Sequence, residues 1–313
     1  MVLLGSICGP GVVAAESTNA TELAVDDYAD TETNTVETDG LRDAIGDWRN
    51  GEIDTGLLRE VISYWRSGEP VGSDGDLEIH HIDVGQADST LVVAPSGETM
   101  LIDSGYWRQD GSGVIAYLEE QGITRIDHLV TTHAHADHIG GHAEVINHFE
   151  TNGDGVGAVY DPGVPATSQT YEDYLTAIDE HNVDLYEVAE GDSIAFGDAT
   201  VQFLNPPENK SNDDLNDNSL AFTIEYGETT YLTTGDAEAA VEERMVAKWG
   251  DQLDADIYQA GHHGSSTSST QPFIDIVDPK TAVISSGYDS QYDHPHDEVL
   301  QRFGEMALVR WLW

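Results

Sequence analysis

Four residues with metal-ligating side chains fall within six positions of this chain: His133, His135, Asp137 and His138, in the order His-x-His-x-Asp-His. A lone histidine is ordinarily a surface residue or a satisfied core residue. A cluster of this density is hard to reconcile with either. Imidazole and carboxylate together suit a borderline cation such as Zn²⁺ or a harder one such as Mn²⁺. The run Ile126-Asp127-His128-Leu129-Val130-Thr131-Thr132 before the cluster reads as a buried strand, and Ile139-Gly140-Gly141 after it opens a helix-like stretch. The ligands are therefore expected on a loop at the C-terminal end of a strand, where α/β folds place their chemistry.

The rest of the composition narrows the options. The chain has 313 residues, with 59 acidic against 12 basic side chains and a formal net charge of −47. The apolar fraction is ordinary and the strand and helix patterns are clear from Leu77 onward, so the charge reads as an acidic surface suited to molar salt, not as disorder. At about 1 M salt the screening length is roughly 3 Å, which damps the surface repulsion. The charge argues against a broad basic footprint for nucleic acid but does not by itself exclude a polyanionic substrate. The single cysteine, Cys8, rules out a disulfide framework and a cysteine-based zinc site.

Residues 1–15 are apolar and Gly-rich and read as a signal segment, which implies a secreted or cell-surface protein; a plain N-terminal tail is the alternative. Residues 16–40, rich in Thr, Asp and Glu, read as a disordered, solvated linker. An approximate repeat follows. Ile45-Gly46-Asp47-Trp48-Arg49-Asn50-Gly51 is echoed by Ile62-Ser63-Tyr64-Trp65-Arg66-Ser67-Gly68. Each half is expected to be a short amphipathic helix stopped by Gly. The pair, residues 41–69, is similar to the dockerin-like segments of archaeal surface proteins. It reads either as an interaction module for a surface-protein partner or as a spacer. No apolar run reaches the roughly 18 residues of a membrane span, so no transmembrane domain is expected.

From residue 77 to 313 strands and helices alternate. Strands are expected at 77–84, 89–94, 99–103, 126–132, 157–160, 184–188, 193–196, 200–204, 220–226, 229–234, 255–259 and 281–285. Helices are expected at 114–121, from about 139 to 149, and at 171–181, 237–249, 272–277 and 295–303. None is assigned after Phe303. Hairpins and strand–helix units both occur, which suggests two mixed sheets with helices outside. Polar residues cluster at several strand ends. Asp103 follows Leu101-Ile102, and Asp236 follows Thr233-Thr234-Gly235. His262-His263-Gly264-Ser265 follows Gln259-Ala260, and Asn216-Asp217-Asn218-Ser219 precedes Leu220. Asp103 and Asp236 are either turn formers and caps or partners of a metal site. His294, in Asp293-His294-Pro295-His296, is either a loop residue or an anion contact.

The order Leu-Ile-Asp-Ser-Gly, His-Ala-His-Ala-Asp-His, Thr-Gly-Asp, Gly-His-His-Gly resembles the metallo-β-lactamase superfamily. The element Asp83-Val84-Gly85-Gln86-Ala87-Asp88-Ser89, with Asn216–Leu220, His262–Ser266 and His294-Pro295-His296, resembles the hydrolase domain of ComEC-type competence proteins. The resemblance implies an αββα sandwich with two divalent metal ions, Zn or Mn, between the sheets. It assigns His133 and His135 to one ion and Asp137, His138 and His262 to the other. Asp236 bridges, and His263 is the alternative to His262. Asp103 would support a ligand from behind. The third histidine that many members offer the first ion is missing, and Asn218 or water would take its place. Ser265 and His294 are candidate substrate contacts. The family ordinarily continues after Phe303 with a further strand region, so the chain reads as truncated there.

The implied activity is a metal-dependent phosphodiesterase or nuclease, acting on DNA or another phosphodiester through a metal-activated water that Asp137 and Asp236 orient. The alternatives are a metallo-hydrolase of another ester, lactone or amide, and a non-catalytic surface-binding protein.

Overall fold

The computed structural model describes residues 23–31, 33–68, 76–210, 212–288, 290–304 and 308–312. The expected signal segment lies outside them, as does the start of the expected linker.

Two sheets form the centre. The first holds β1 (Glu78–His81), β2 (Thr90–Val93), β3 (Thr99–Ile102), β4 (Ile126–Val130), β5 (Val156–Asp161) and β6 (Asp184–Glu187), side by side in chain order. The second holds β7 (Ser193–Phe196), β8 (Ala199–Asn205), β9 (Ala221–Tyr226), β10 (Thr229–Thr233), β11 (Ile257–Gln259), β12 (Thr281–Ser285) and β13 (Leu308–Leu312), again in order. In each sheet one side is antiparallel and the other parallel.

Strand alternation explains the layering. Leu91, Leu101, Leu129 and Val159 face the helices α3 (Ser112–Glu120), α4 (His142–Asn152) and α5 (Gln169–His181). Their neighbours Val92, Met100, Ile102, Val130 and Tyr160 point the other way and meet Phe196, Val201, Phe203, Phe222, Ile224 and Tyr231 of the second sheet. On the far face Leu204, Leu232, Tyr258, Ala282 and Ile284 pack under α6 (Ala239–Trp249), α7 (Gln271–Val277) and α8 (Asp297–Gly304). A period of two with both faces apolar is what a strand covered on both sides requires. The result is the expected αββα sandwich.

The repeat becomes a helical pair, α1 (Thr38–Asn50) and α2 (Thr55–Ser67), each closed by a left-handed glycine, Gly51 and Gly68. The repeated Trp works reciprocally. Trp48 Nε1 at the end of α1 donates to Thr55 Oγ1 at the start of α2, and Trp65 Nε1 at the end of α2 donates to Thr38 Oγ1 at the start of α1. The pair sits on the first sheet through Arg59, whose Nη1 lies 2.7 Å from Asp127 Oδ1, and Ser63, whose hydroxyl donates to Pro95 O.

Three details differ from expectation. Most of the described part of the linker is exposed, but it is not featureless: Val25–Tyr28 form a 3-10 turn, and Val25, Tyr28 and Val36 are buried against Ala44, Leu58 and Val61. Beyond Phe303, where no element is assigned from the sequence, Leu308–Leu312 form a strand, β13, paired in parallel with β12. The helix expected from residue 139 starts only at His142. A side chain at Gly140 would collide with the backbone of Trp107, and one at Gly141 with Gly111 and Ser104 O, so this turn packs against the loop after β3 and not yet into a helix.

Candidate metal centre

The strand ends that face each other across the sandwich deliver the polar residues. Asp103 follows β3, residues 131–138 follow β4, Asp236 follows β10, His262 and His263 follow β11, and Ser286 and Gly287 follow β12. Asp103, His262 and His263 all hold left-handed backbone, at φ 57°, 52° and 55°. Such conformations cost non-glycine residues roughly 1–3 kcal/mol each and gather at functional sites.

Asp236 is the hub. Its carboxylate is buried, with His138 Nε2 3.3 Å from Oδ1 and His133 Nε2 3.7 Å from Oδ2. His262 Nε2 and His263 Nε2 stand 3.6 and 3.9 Å from Oδ2. Two donor groups share it. Ligand atoms of His133, His135 and Asp236 lie within 4.8 Å of one another, and so do those of Asp88, His138, Asp236 and His263. Asp137 Oδ2 adds a carboxylate oxygen 3.4 Å from His263 Nε2.

A second ring of bonds aims these groups. Asp103 Oδ2 lies 2.7 Å from His138 Nδ1, and Asp103 itself accepts from Thr132 N and Thr132 Oγ1. His263 Nδ1 lies 3.2 Å from the carbonyl of Ser285. Gln259 Nε2 donates to Asp88 Oδ1, while Gln259 Oε1 accepts from Thr90 and Tyr231. The imidazoles of His138 and His263 are thereby oriented by Nδ1 so that Nε2 faces the cluster, the arrangement that fixes the tautomer of a metal ligand.

The donor set fits divalent cations. His138 Nε2, His263 Nε2 and Asp236 Oδ1 are buried and have no hydrogen-bond partner. Buried polar atoms without partners are costly and rare, and these three converge. The electrostatics agree. Burial opposes charge on His138, yet Asp236 and Asp103 hold its pKa well above the usual imidazole range. Burial pushes His263 down, but Asp236, Asp137 and Asp88 bring it up to about 9. Burial likewise works against Asp236, yet His138, His263 and His133 hold it well below the usual carboxylate range. Burial holds His133 well below the usual imidazole range, whereas His138 and His263 would give up the protons that these carboxylates favour when a cation takes their place. The cluster is a concentration of negative charge that requires positive charge at its centre.

The expected residues separate into groups. His133, His135, His138 and Asp236 come together, with Asp137 at their edge. Of the histidine pair, His263 is the buried one and lies in the four-residue group; His262 is partly exposed, with Nδ1 3.4 Å from Glu238. Asn218 is buried, and its Nδ2 donates to the carbonyls of Asn212 and Asp214, closing its own loop. Ser265 bonds Thr267 within the same turn. The His294 ring lies 5.7 Å from that of His262 and 6.4 Å from that of His263. Asp88 is the residue that sequence reasoning left out of the site. Its signal was the acidic end of Asp83-Val84-Gly85-Gln86-Ala87-Asp88, but its link to Gln259 spans 171 positions.

Comparison with known proteins agrees with the geometry. Residues 82–288 match the family model of the metallo-beta-lactamase superfamily. "ComE operon protein 3" of Bacillus subtilis is 33% identical over 251 residues, which is 74% of this chain and 31% of that protein. "Competence protein ComA" of Neisseria gonorrhoeae is 32% identical over 220 residues, 70% of this chain and 28% of that protein. The chain thus spans less than a third of the length of these relatives, and the resemblance to ComEC-type competence proteins holds across its hydrolase-like part. Among solved structures, the metallo-beta-lactamase fold protein YhfI of Bacillus subtilis superposes with a TM-score of 0.50 at 13% identity, covering 75% of this chain and 97% of that one. With its sandwich fold and its strand-end cluster of His and Asp, the chain belongs to the metallo-β-lactamase superfamily.

Proposed function

We propose that this chain is a metal-dependent phosphodiesterase acting on nucleic acid. The observation that carries the reading is the buried cluster around Asp236, in which three partnerless donor atoms converge; the competence-protein relatives direct it toward DNA. In this reading His133, His135 and Asp236 hold one divalent ion, Zn or Mn. His138, His263 and Asp236 hold the second, with Asp88 or Asp137 completing it, and His263 takes the place first given to His262. When bound, such ions activate a water for attack and polarise the group attacked.

The protein's own residues supply position. Asp103 and Ser285 O fix the rings of His138 and His263, and Thr132 fixes Asp103. Asp137 is the carboxylate of the cluster with exposed surface, so it lies where the attacking water enters and orients it. His294, on the loop after β12, stands against the rings of His262 and His263 and is the candidate contact to the substrate.

One observation favours a second reading, a hydrolase of another ester, lactone or amide: the surface carries few cations to attract a polyanion. Metal analysis coupled to assays on DNA, RNA, bis(p-nitrophenyl) phosphate, lactones and β-lactams in molar KCl separates the two. Turnover of lactones or β-lactams, with none of the phosphodiesters, would replace the first reading by the second. Placement outside the cell rests on the apolar segment at residues 1–15, and attachment to a surface partner on the helical pair. Among the described residues no helix is long and apolar enough to cross a membrane.

A further inference from the structure

Large exposed aromatic side chains border the metal centre on two sides. On the first side is the loop after β3, Tyr106-Trp107-Arg108. The backbone N–H of Trp107 donates to Ala136 O, between His135 and Asp137, so the loop lies directly against the metal-ligating turn. Trp107 is 47% exposed. The Arg108 guanidinium lies 5.2 Å from the Trp107 ring and 5.8 Å from the Tyr106 ring. On the second side is the loop after β12. Tyr292 is 55% exposed and its ring lies 5.7 Å from His294, which in turn stands against His262 and His263. Tyr288, on the same loop, is 74% exposed.

Exposed single apolar residues are ordinary on a surface. Here their placement is not scattered: each loop touches residues of the cluster, and the two approach it from opposite sheets. The charge on these loops is equally informative. Across residues 104–111 and 286–296, Arg108 is the one Arg or Lys, and Asp110, Asp289 and Asp293 are acidic. A polyanion gains little from Coulomb attraction at such a rim. Flat π-faces attract unstacked bases without needing net charge, and each stacked base contributes substantially to binding. An Arg laid over the same rings extends the platform.

We infer that Trp107, supported by Tyr106 and Arg108, and Tyr292 form two stacking platforms that hold the nucleobases on either side of the scissile phosphate of a single strand. The inference rests on the phosphodiesterase reading, which it deepens. Paired bases have their faces covered, so the platforms select strands whose bases are free.

The test uses the full chain with Mn²⁺ in molar KCl and two phosphorothioate-linked, fluorescein-labelled decamers of equal charge: oligo(dT) and its abasic analogue. Fluorescence anisotropy is expected to show oligo(dT) bound about tenfold more tightly than the abasic strand. Trp107→Ala and Tyr292→Ala should each reduce that ratio several-fold, and Trp107→Phe should restore most of it. Equal binding of the two strands by the wild type, or an unchanged ratio in both alanine variants, overturns the platforms. Hydrolysis of bis(p-nitrophenyl) phosphate and of unmodified oligo(dT) is measured separately. Base discrimination without hydrolysis supports the platforms and removes the hydrolytic reading. Hydrolysis without base discrimination overturns the platforms and leaves that reading standing.

Discussion

Asp103 Oδ2 and His138 Nδ1 lie 2.7 Å apart, both buried, and this contact turns His138 Nε2 toward Asp236 Oδ1 at 3.3 Å. Asp103 comes from the end of β3 and His138 from the loop after β4, so the parallel pairing of these strands sets the orientation of the His138 ring. Asp103→Asn keeps the shape but replaces a carboxylate by an amide whose NH₂ faces an N–H. Metal affinity should fall about 10- to 100-fold. Isothermal titration with Zn²⁺ or Mn²⁺ against metal-stripped protein checks this, and an unchanged affinity would show that Asp103 is only a turn former.

Asp127 shows a second kind of dependence. Its carboxylate accepts from Arg59, Arg125 and Thr99 N, and so ties the helical pair to the first sheet. Arg59→Ala removes a contact made by a side chain 37% exposed and should cost under about 1 kcal/mol. Asp127→Ala leaves several buried or half-buried donors without an acceptor and should cost about 2–4 kcal/mol. Urea unfolding of both variants distinguishes them; equal costs would contradict the central place given to Asp127.

Asp161 gives a pH dependence away from the metal cluster. Burial raises its pKa to about 6 from an ordinary value of 3.8. The folded state therefore binds this proton more tightly than the unfolded state. The stabilisation is complete below about pH 4 and is lost as the pH climbs toward 6, at a cost on the order of 2–3 kcal/mol. Asp161→Asn preserves the acceptor for Gly163 N, which donates to Oδ1 at 2.6 Å. The variant should be more stable than wild type at pH 8 and lose that advantage near pH 4. A stability difference independent of pH in thermal melts would contradict this.

Much of the molecule was legible because its signals are local. Alternation at Leu91-Val92, Met100-Leu101-Ile102 and Leu129-Val130 marks strands buried on both faces, and His133–His138 gathers four side chains suited to metals within six positions. What escaped depends on contacts between distant segments or on backbone shape. Asp88 joins the cluster directly and is held there by Gln259, 171 positions away in sequence. The choice between His262 and His263 turns on two successive left-handed residues, which no side-chain pattern announces. Val25, Tyr28 and Val36 are too sparse to mark a packed segment, and β13 is a short edge strand whose partner, β12, supplies its register.

The acidic surface carries its own expectation. With 59 acidic against 12 basic residues, unscreened repulsion grows as salt is removed. The melting temperature should be higher in about 2 M KCl than in dilute buffer. Equal melting temperatures would show that the charge is tolerated without screening.

The central claim is that the cluster around Asp236 is a metal-dependent hydrolytic centre for phosphodiesters. The most direct measurement is turnover of bis(p-nitrophenyl) phosphate by protein stripped with a chelator and then titrated with Mn²⁺ or Zn²⁺, beside the double variant His133→Ala/His135→Ala. The account predicts no turnover in the stripped protein, recovery that saturates as ions are restored, and no recovery in the variant. Full turnover by the stripped protein, or equal recovery in the variant, would contradict it.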